Sequence, residues 1–452
     1  MMVILIARFQ TRLWFVYTQR NIHPGRINLT ENPQNIRLDR IVWSDWRNLF
    51  ALALPILVFF FRGPAEVVIA LLVVAFVVRS FRHNDWGWTK MSWVIIGLML
   101  WLWLLLVATP MAHYPDESWQ RSLLFLRWII FAAALAYWVL ASTQARQIFQ
   151  HTIMLLVLFV ILDSVLQYLT GTDIFGYEKF EGVRLTGPFS DPKPGTYVLR
   201  VVFIAIAGLY WVRLVSFSGN IRNRHTAWLI LLAFVAVAFV FLTGERIAFV
   251  MMVFSSMVMA LTLFLVYPSQ RKMLIVAAGL AVLAIVVLVI TQADMLQRTI
   301  VSFGSAMSDY SNSPSGQLLD TSLALWRENV WTGVGPKNFR ILCALPENQD
   351  IVRLCGLHSH NFYLEWLTEA GIPALLGFIV FVMAVFLRVW NIRFKDSGAL
   401  IAVLTILVLA TSFWPIQGSM SFFSNGPAML VWMTVGWALS EKSVLKSQQE
   451  KK

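Results

Sequence analysis

The sequence predicts an all-α, polytopic membrane protein of about twelve transmembrane helices, with a large, partly helical periplasmic loop before the tenth span. Three observations carry this. Hydrophobic residues make up 58% and charged residues only 13% of the 452, and the mean hydropathy is +0.68, far from the balance of a soluble domain. Apolar runs near membrane-crossing length recur from about Leu49 to Leu439, and backbone in lipid must satisfy its own hydrogen bonds, which makes such runs helices. The runs are continuous and do not alternate, which excludes an outer-membrane barrel.

The expected spans are roughly 48–62, 65–79, 91–109, 122–141, 152–169, 196–214, 227–243, 246–267, 273–291, 361–387, 399–416 and 424–440. The first two are short and divided by Arg62-Gly63-Pro64. Basic residues set the orientation. Arg79, Arg82 and Lys90 follow the second span, Arg146 the fourth, Arg213, Arg222 and Arg224 the sixth, Arg271 and Lys272 the eighth, and Arg388, Arg393 and Lys395 the tenth. The intervening short connections lack this excess. Every second loop is therefore expected to be cytoplasmic, together with an arginine-rich segment 1–47 and a lysine-rich tail 441–452. Met1 to Ala7 is apolar but is followed by Arg8 and Arg12 without a small-residue cleavage site, so no signal-peptide removal is expected. The bacterial inner membrane is the expected location, with both termini inside. The formal charge of +12 is scattered between apolar runs, so nucleic acid is not an expected partner.

Spans one to nine occupy 48–291 and spans ten to twelve 361–440. Two connections exceed turn length, an outer loop at 170–195 and a larger one at 292–360; long connections in compact folds concentrate function. The larger loop contains an amphipathic helix over Leu318–Val330 and a tight turn at Thr332-Gly333-Val334-Gly335-Pro336. It also holds both cysteines, Cys343 and Cys355. In an oxidising compartment these are expected to form a disulfide, with two half-buried thiols as the alternative. Combined with His358 and His360 they lack the paired spacing of a metal site, and no metal or cofactor is expected.

Ionisable residues within spans are costly and point to function. Arg127, Asp163, Arg200, Glu245, Arg246, Glu365 and Glu369 all fall in the outer halves or at the outer mouths of their spans. This distribution predicts an outward-opening polar cavity, although a structural ion pair accounts equally well for Arg127 or Asp163 taken singly. Arginine suits phosphate through its planar, permanently charged fork. Arg184 lies in the Gly- and Pro-rich stretch Arg184-Leu-Thr-Gly187-Pro188-Phe189-Ser-Asp191-Pro192. Arg246 opens span eight in Thr243-Gly244-Glu245-Arg246, where a helix start favours anions and a pair with Glu245 is the competing account. His358-Ser359-His360-Asn361 precedes span ten, and an imidazole there is able to take a proton from a hydroxyl. Glu365 and Glu369 follow at helical spacing, placed to orient the histidine or to neutralise an arginine. Arg327, Lys337 and Arg340 are read first as solvated surface and second as phosphate or glycan contacts.

The pattern resembles the O-antigen ligase family, which includes O-antigen polymerases and protein O-oligosaccharyltransferases. The resemblance rests on His360-Asn361-Phe-Tyr-Leu-Glu365-Trp-Leu-Thr-Glu369-Ala-Gly371-Ile-Pro, supported by Gly333-Val-Gly335-Pro-Lys-Asn338-Phe339, by Arg184 to Pro192 and by Gly244-Glu245-Arg246. It implies a metal-independent, inverting glycosyltransferase that moves a glycan from undecaprenyl diphosphate to a hydroxyl of lipid A–core or of a second lipid-linked glycan. Arg184 and Arg246 would bind the diphosphate and His360 would activate the acceptor, with Asn361, Glu365, Glu245, Arg327 and Arg340 as possible supporting residues. Two departures, Asp191 where the family often has Asn and Ile-Pro-Ala after Gly371, leave ligase versus polymerase open. The rival classes are a lipid-linked glycan transporter or flippase, disfavoured by charge at one mouth and no visible repeat, and a non-catalytic envelope assembly protein.

Overall fold

A computed structural model describes residues 44–214, 223–291, 297, 304, 308–396, 399–415 and 421–440. The expected basic tail, nearly all of the basic head and most of 292–307 lie outside the described residues.

The regular structure of the described chain is helical, with two isolated antiparallel bridges, Thr172 with Glu178 and Phe180 with Arg184. In order, the main helices are α1 (Trp46–Phe60), α2 (Arg62–Arg82), α3 (Ser92–Trp103), α4 (Pro115–Ala134), α5 (Thr143–Thr170), α6 (Pro194–Leu214), α7 (Asn223–Leu242), α8 (Arg246–Val266), α9 (Arg271–Thr291), α10 (Pro314–Glu328), α11 (Phe362–Asp396), α12 (Ala399–Phe413) and α13 (Asn425–Leu439). Each expected span overlaps one of these helices. Among the described residues five are long and apolar enough to cross a membrane: Arg62–Arg82, Pro115–Val139, Thr143–Thr170, Arg246–Val266 and Phe362–Asn391. Shorter apolar helices run over Trp46–Phe60, Ser92–Ala108, Pro194–Leu209, Thr226–Leu242 and Ala399–Phe413.

Local chemistry sets several helix ends. The side chains of Asp45, Ser142 and Ser313 accept from Arg47 N, Ala145 N and Gly316 N, satisfying donors that have no partner inside a helix. Pro115 begins α4 with Asp116 and Glu117 in its first turn, where carboxylates complement the helix dipole. The amphipathic loop helix is α10, and its core-facing residues include Leu318 and Leu325.

The core is formed by α5 packed on α1 and α6, α6 on α7 and α12, α11 on α3 and α12, and α13 on α4. Small residues bring these helices close, as where Gly97 meets Ile129 and Gly436 meets Leu135. Leu71, Leu162, Leu280 and Leu387 point outward, an arrangement suited to lipid in place of water. The loop helix α10 packs on α11 and sits over a small apolar cluster of Leu318, Leu325, Val334, Phe339, Leu342 and Cys343.

Candidate functional site

Arg184 is carried by a short hairpin. Phe180 and Arg184 exchange backbone hydrogen bonds of 2.8 and 2.9 Å across a reversal in which Glu181 and Gly182 both have positive φ. The guanidinium donates to the Pro192 carbonyl at 2.9 Å and lies 5.9 Å from the Phe180 ring centre. The following residues are held by Gln167, from α5. Its Oε1 accepts from Thr186 N at 2.9 Å and Gly187 N at 3.0 Å, and its Nε2 donates to Thr186 Oγ1 and the Tyr177 carbonyl. Phe189 then stacks between Phe60 of α1 and Tyr197 of α6. The loop is thus pinned at both ends, so that the arginine is presented from a rigid support.

Glu245 caps the start of α8, next to Arg246. Its carboxylate is bound by the first turn of α6, accepting from Gly195 N at 2.6 Å, Thr196 N at 2.9 Å and the Thr196 hydroxyl. Exposed amides at a helix start act as an anion receptor, and here a side chain occupies that receptor. Burial pushes the Glu245 carboxyl above the usual carboxylate range, against the pull of these hydrogen bonds and of the Arg184 charge. Glu245 thereby clamps the start of α6 to the start of α8. One turn further along α6 lies Arg200, fully buried, with its guanidinium 5.9 Å from the ring centre of Phe362. Phe362 follows His360 by two residues.

His360 has φ of +53°, in the left-handed region that is uncommon for a non-glycine residue. Its ring lies 4.2 Å from that of His358. Asn361 starts α11: its Oδ1 accepts from Tyr363 N at 2.9 Å and Leu364 N at 3.2 Å, while its Nδ2 donates to the Pro415 carbonyl. The histidine loop is thereby fixed to α11 and to the end of α12.

The motif from Gly333 to Gly371 is explained by a break in α11. Gly371 has φ +81° and ψ −178°, and Pro373 removes another donor. The carbonyls freed by this break are taken up by other elements. Val334 N donates to Thr368 O at 2.9 Å, Gly335 N to Glu369 O at 3.0 Å and Trp103 Nε1 to Ala370 O at 2.9 Å. Glu369 also accepts from Lys337 N at 2.7 Å. Lys337 is 7% exposed and donates through Nζ to Ser421 and Ser424 at 2.8 and 2.6 Å. Glu365 accepts from the Ser421 hydroxyl and from Phe422 N. Glu365 and Glu369 thus hold the glycine turn and the α12–α13 connection around a lysine. Lys337 is not the solvated surface residue expected from the sequence.

The other sequence candidates have partners of their own. Arg127 lies 3.8 Å from Glu66 and over the Trp128 ring, and Glu66 also accepts from Asn425 at 2.8 Å. Asp163 accepts from Ile174 N at 3.0 Å, closing the start of the outer loop. Arg127 thus has an ion-pair partner and Asp163 a backbone amide. Arg340 pairs with Glu117 at 3.1 Å, both half exposed, and Arg327 is exposed at the end of α10. Cys343 and Cys355 are bonded, with Cα atoms 5.3 Å apart. Among the described residues no three His, Cys, Asp or Glu side chains are grouped to hold a metal. Gln167 and Ser421 escaped the sequence reading. A glutamine inside the apolar α5 is itself a signal, because an uncompensated amide is costly there.

Residues 231–379, which include Glu245, Arg246, His360 and Gly371, match the family model described as O-antigen ligase. Over this stretch, about a third of the chain, the sequence is similar to the O-antigen ligase family. No curated protein matches the chain. Among solved structures, it is similar at 15% identity and a TM-score of 0.36 to a chain from "Structural coordination of polymerization and crosslinking by a peptidoglycan synthase complex", over 85% of this chain and 98% of that one.

Proposed function

We propose that the protein is an inverting glycosyltransferase of the O-antigen ligase or polymerase type, acting at the periplasmic face of the bacterial inner membrane. The donor is a glycan on undecaprenyl diphosphate, and the acceptor a hydroxyl of lipid A–core or of a second lipid-linked glycan. In this reading all twelve apolar helices span the bilayer, both termini are cytoplasmic, and the loop 292–360, with its disulfide, is periplasmic.

The observation that supports this best is a chain of contacts within and beside the matched segment. The charge of Arg184 acts on Glu245, the neighbour of Arg246. Glu245 clamps the first turn of α6, and Arg200 of α6 lies over Phe362, beside the His360 loop. Two guanidinium groups from a pinned loop and a helix start are suited to a diphosphate, whose negative charge grows as it leaves. His360 accepts the proton of the acceptor hydroxyl as its oxygen attacks the anomeric carbon. The bond from that carbon to the diphosphate oxygen breaks, the lipid diphosphate departs with the electron pair, and the anomeric configuration inverts. Glu365, Glu369 and Lys337 hold the glycine turn and the α12–α13 connection beside α11, which carries the histidine loop at its start.

The test is turnover by detergent-purified protein given lipid-linked glycan and either a core acceptor or a second lipid-linked glycan. Arg184→Ala, Arg246→Ala and His360→Ala proteins, folded and made at normal level, are expected to lose transfer. Full activity in all three would refute the assignment, and the product that grows decides between ligase and polymerase. Labelling of Ser313→Cys from outside spheroplasts checks the orientation; labelling only after permeabilisation would reverse it.

A further inference from the structure

Arg200 is not accounted for by the packing around it. Its side chain is fully buried, and none of its three nitrogens has a hydrogen-bond partner among the described residues. A buried guanidinium left without acceptors is among the more expensive arrangements a fold retains. Glu245 and Tyr197 act on it electrostatically, but the Glu245 oxygens bond to Gly195 and Thr196 and neither group is within hydrogen-bond reach of the guanidinium. Arg200 stands four residues after Thr196, on the same face of α6. It therefore lies one turn below the helix start that already holds one anion, with the Phe362 ring centre 5.9 Å from its guanidinium. A hydrophobic side chain of equal length would fit such a position at lower cost if packing were its purpose.

We propose that Arg200 is a third guanidinium for the anionic group of the donor, covered in this structure by the ring of Phe362. The inference rests on reading the site as a diphosphate site and adds a residue and a gate to it. Phe362 joins the loop at His360, whose left-handed backbone is the strained point of that segment. A backbone change at His360 would withdraw the ring, exposing five donors to a diphosphate while moving the imidazole toward the acceptor. Anion binding and placement of the base would then be coupled through two residues of chain.

The experiment uses the full-length, detergent-purified protein and measures binding of farnesyl diphosphate and, separately, of inorganic pyrophosphate. Arg200→Met keeps the length and removes the charge. It is expected to weaken both probes at least tenfold without lowering the unfolding temperature, because an uncompensated buried charge has been removed. Arg200→Lys, which keeps the charge but loses the fork, is expected to fall between, and it carries the test if Arg200→Met does not fold. Phe362→Ala is expected to speed association of pyrophosphate. Binding by Arg200→Met within twofold of the parent, while Arg184→Ala loses tenfold, would overturn this proposal and leave the diphosphate reading standing. A loss confined to farnesyl diphosphate would also overturn it, by assigning Arg200 to the lipid chain. Failure of the parent protein to bind either probe would overturn the diphosphate reading and this inference together.

Discussion

Replacing Gly371 by alanine tests whether the break in α11 is built into the fold. A Cβ at this position would lie 2.0 Å from the Trp331 carbonyl oxygen, 2.3 Å from its carbon and 2.7 Å from Thr332 N, all backbone atoms. Since ordinary contacts begin near 3.5 Å, the turn and the helix must part by more than about 1 Å. Their separation strains the bonds that fasten them, Val334 N to Thr368 O, Gly335 N to Glu369 O and Ile372 N to Val330 O, together with Lys337 N to Glu369. Loss of two of these four costs about 2 kcal/mol net. An alanine held at φ +81° with extended ψ adds about 1–3 kcal/mol. The sum, about 4 kcal/mol, is a large share of a typical stability. Denaturant unfolding in detergent, followed by tryptophan fluorescence, measures it. Gly279→Ala is the matched control, because a Cβ there meets nothing within 4 Å, and a helix-interior alanine is expected to be neutral or mildly stabilising. If Gly371→Ala unfolded within about 0.5 kcal/mol of the parent, in the range of ordinary surface substitutions, the break would be a local irregularity and the account of the glycine motif would be wrong.

Four further outcomes are expected. Gln167→Leu leaves buried Thr186 N and Gly187 N without acceptors and should cost about 2–4 kcal/mol, with reduced transfer as Arg184 loses its support; unchanged turnover would detach the loop from the activity. Lys337→Met removes the donor to Ser421 and Ser424 and a cation acting on Glu365 and Glu369, and should cost about 1–3 kcal/mol, part of it recovered when Glu369→Gln is added; simple additivity in that cycle would argue against the network. Glu66→Gln keeps an oxygen for Asn425 and weakens a 3.8 Å pair with Arg127, for a loss under about 1 kcal/mol by thermal unfolding. Removing the Cys343–Cys355 bridge, which spans 12 positions, should cost about 3 kcal/mol by loop entropy and expose residues 344–354 to protease; equal proteolysis with and without reductant would show that the apolar cluster beneath holds the loop unaided.

Much of the architecture is legible along the chain because the bilayer imposes a local rule. A run such as Ile247–Val266 must be helical wherever it packs, since no solvent will satisfy its backbone, and Pro115 or Ser142 marks a helix start from its own chemistry. Both cysteines and the His360-Asn361 to Gly371 spacing could likewise be read as short strings. What only the tertiary structure decided is the partner each charge meets. Asn425 bonds to Glu66 across 359 positions, Lys337 to Ser424 across 87 and Glu245 to Gly195 across 50. Hydrophobic periodicity specifies which face of a helix is buried but not which helix covers it, and a coulombic interaction depends on that choice alone. For this reason Arg127, Asp163 and Arg200 look alike in the sequence, as single charges in apolar runs, although the fold gives the first an ion pair, the second a backbone amide, and the third a phenyl ring with no hydrogen-bond acceptor among the described residues.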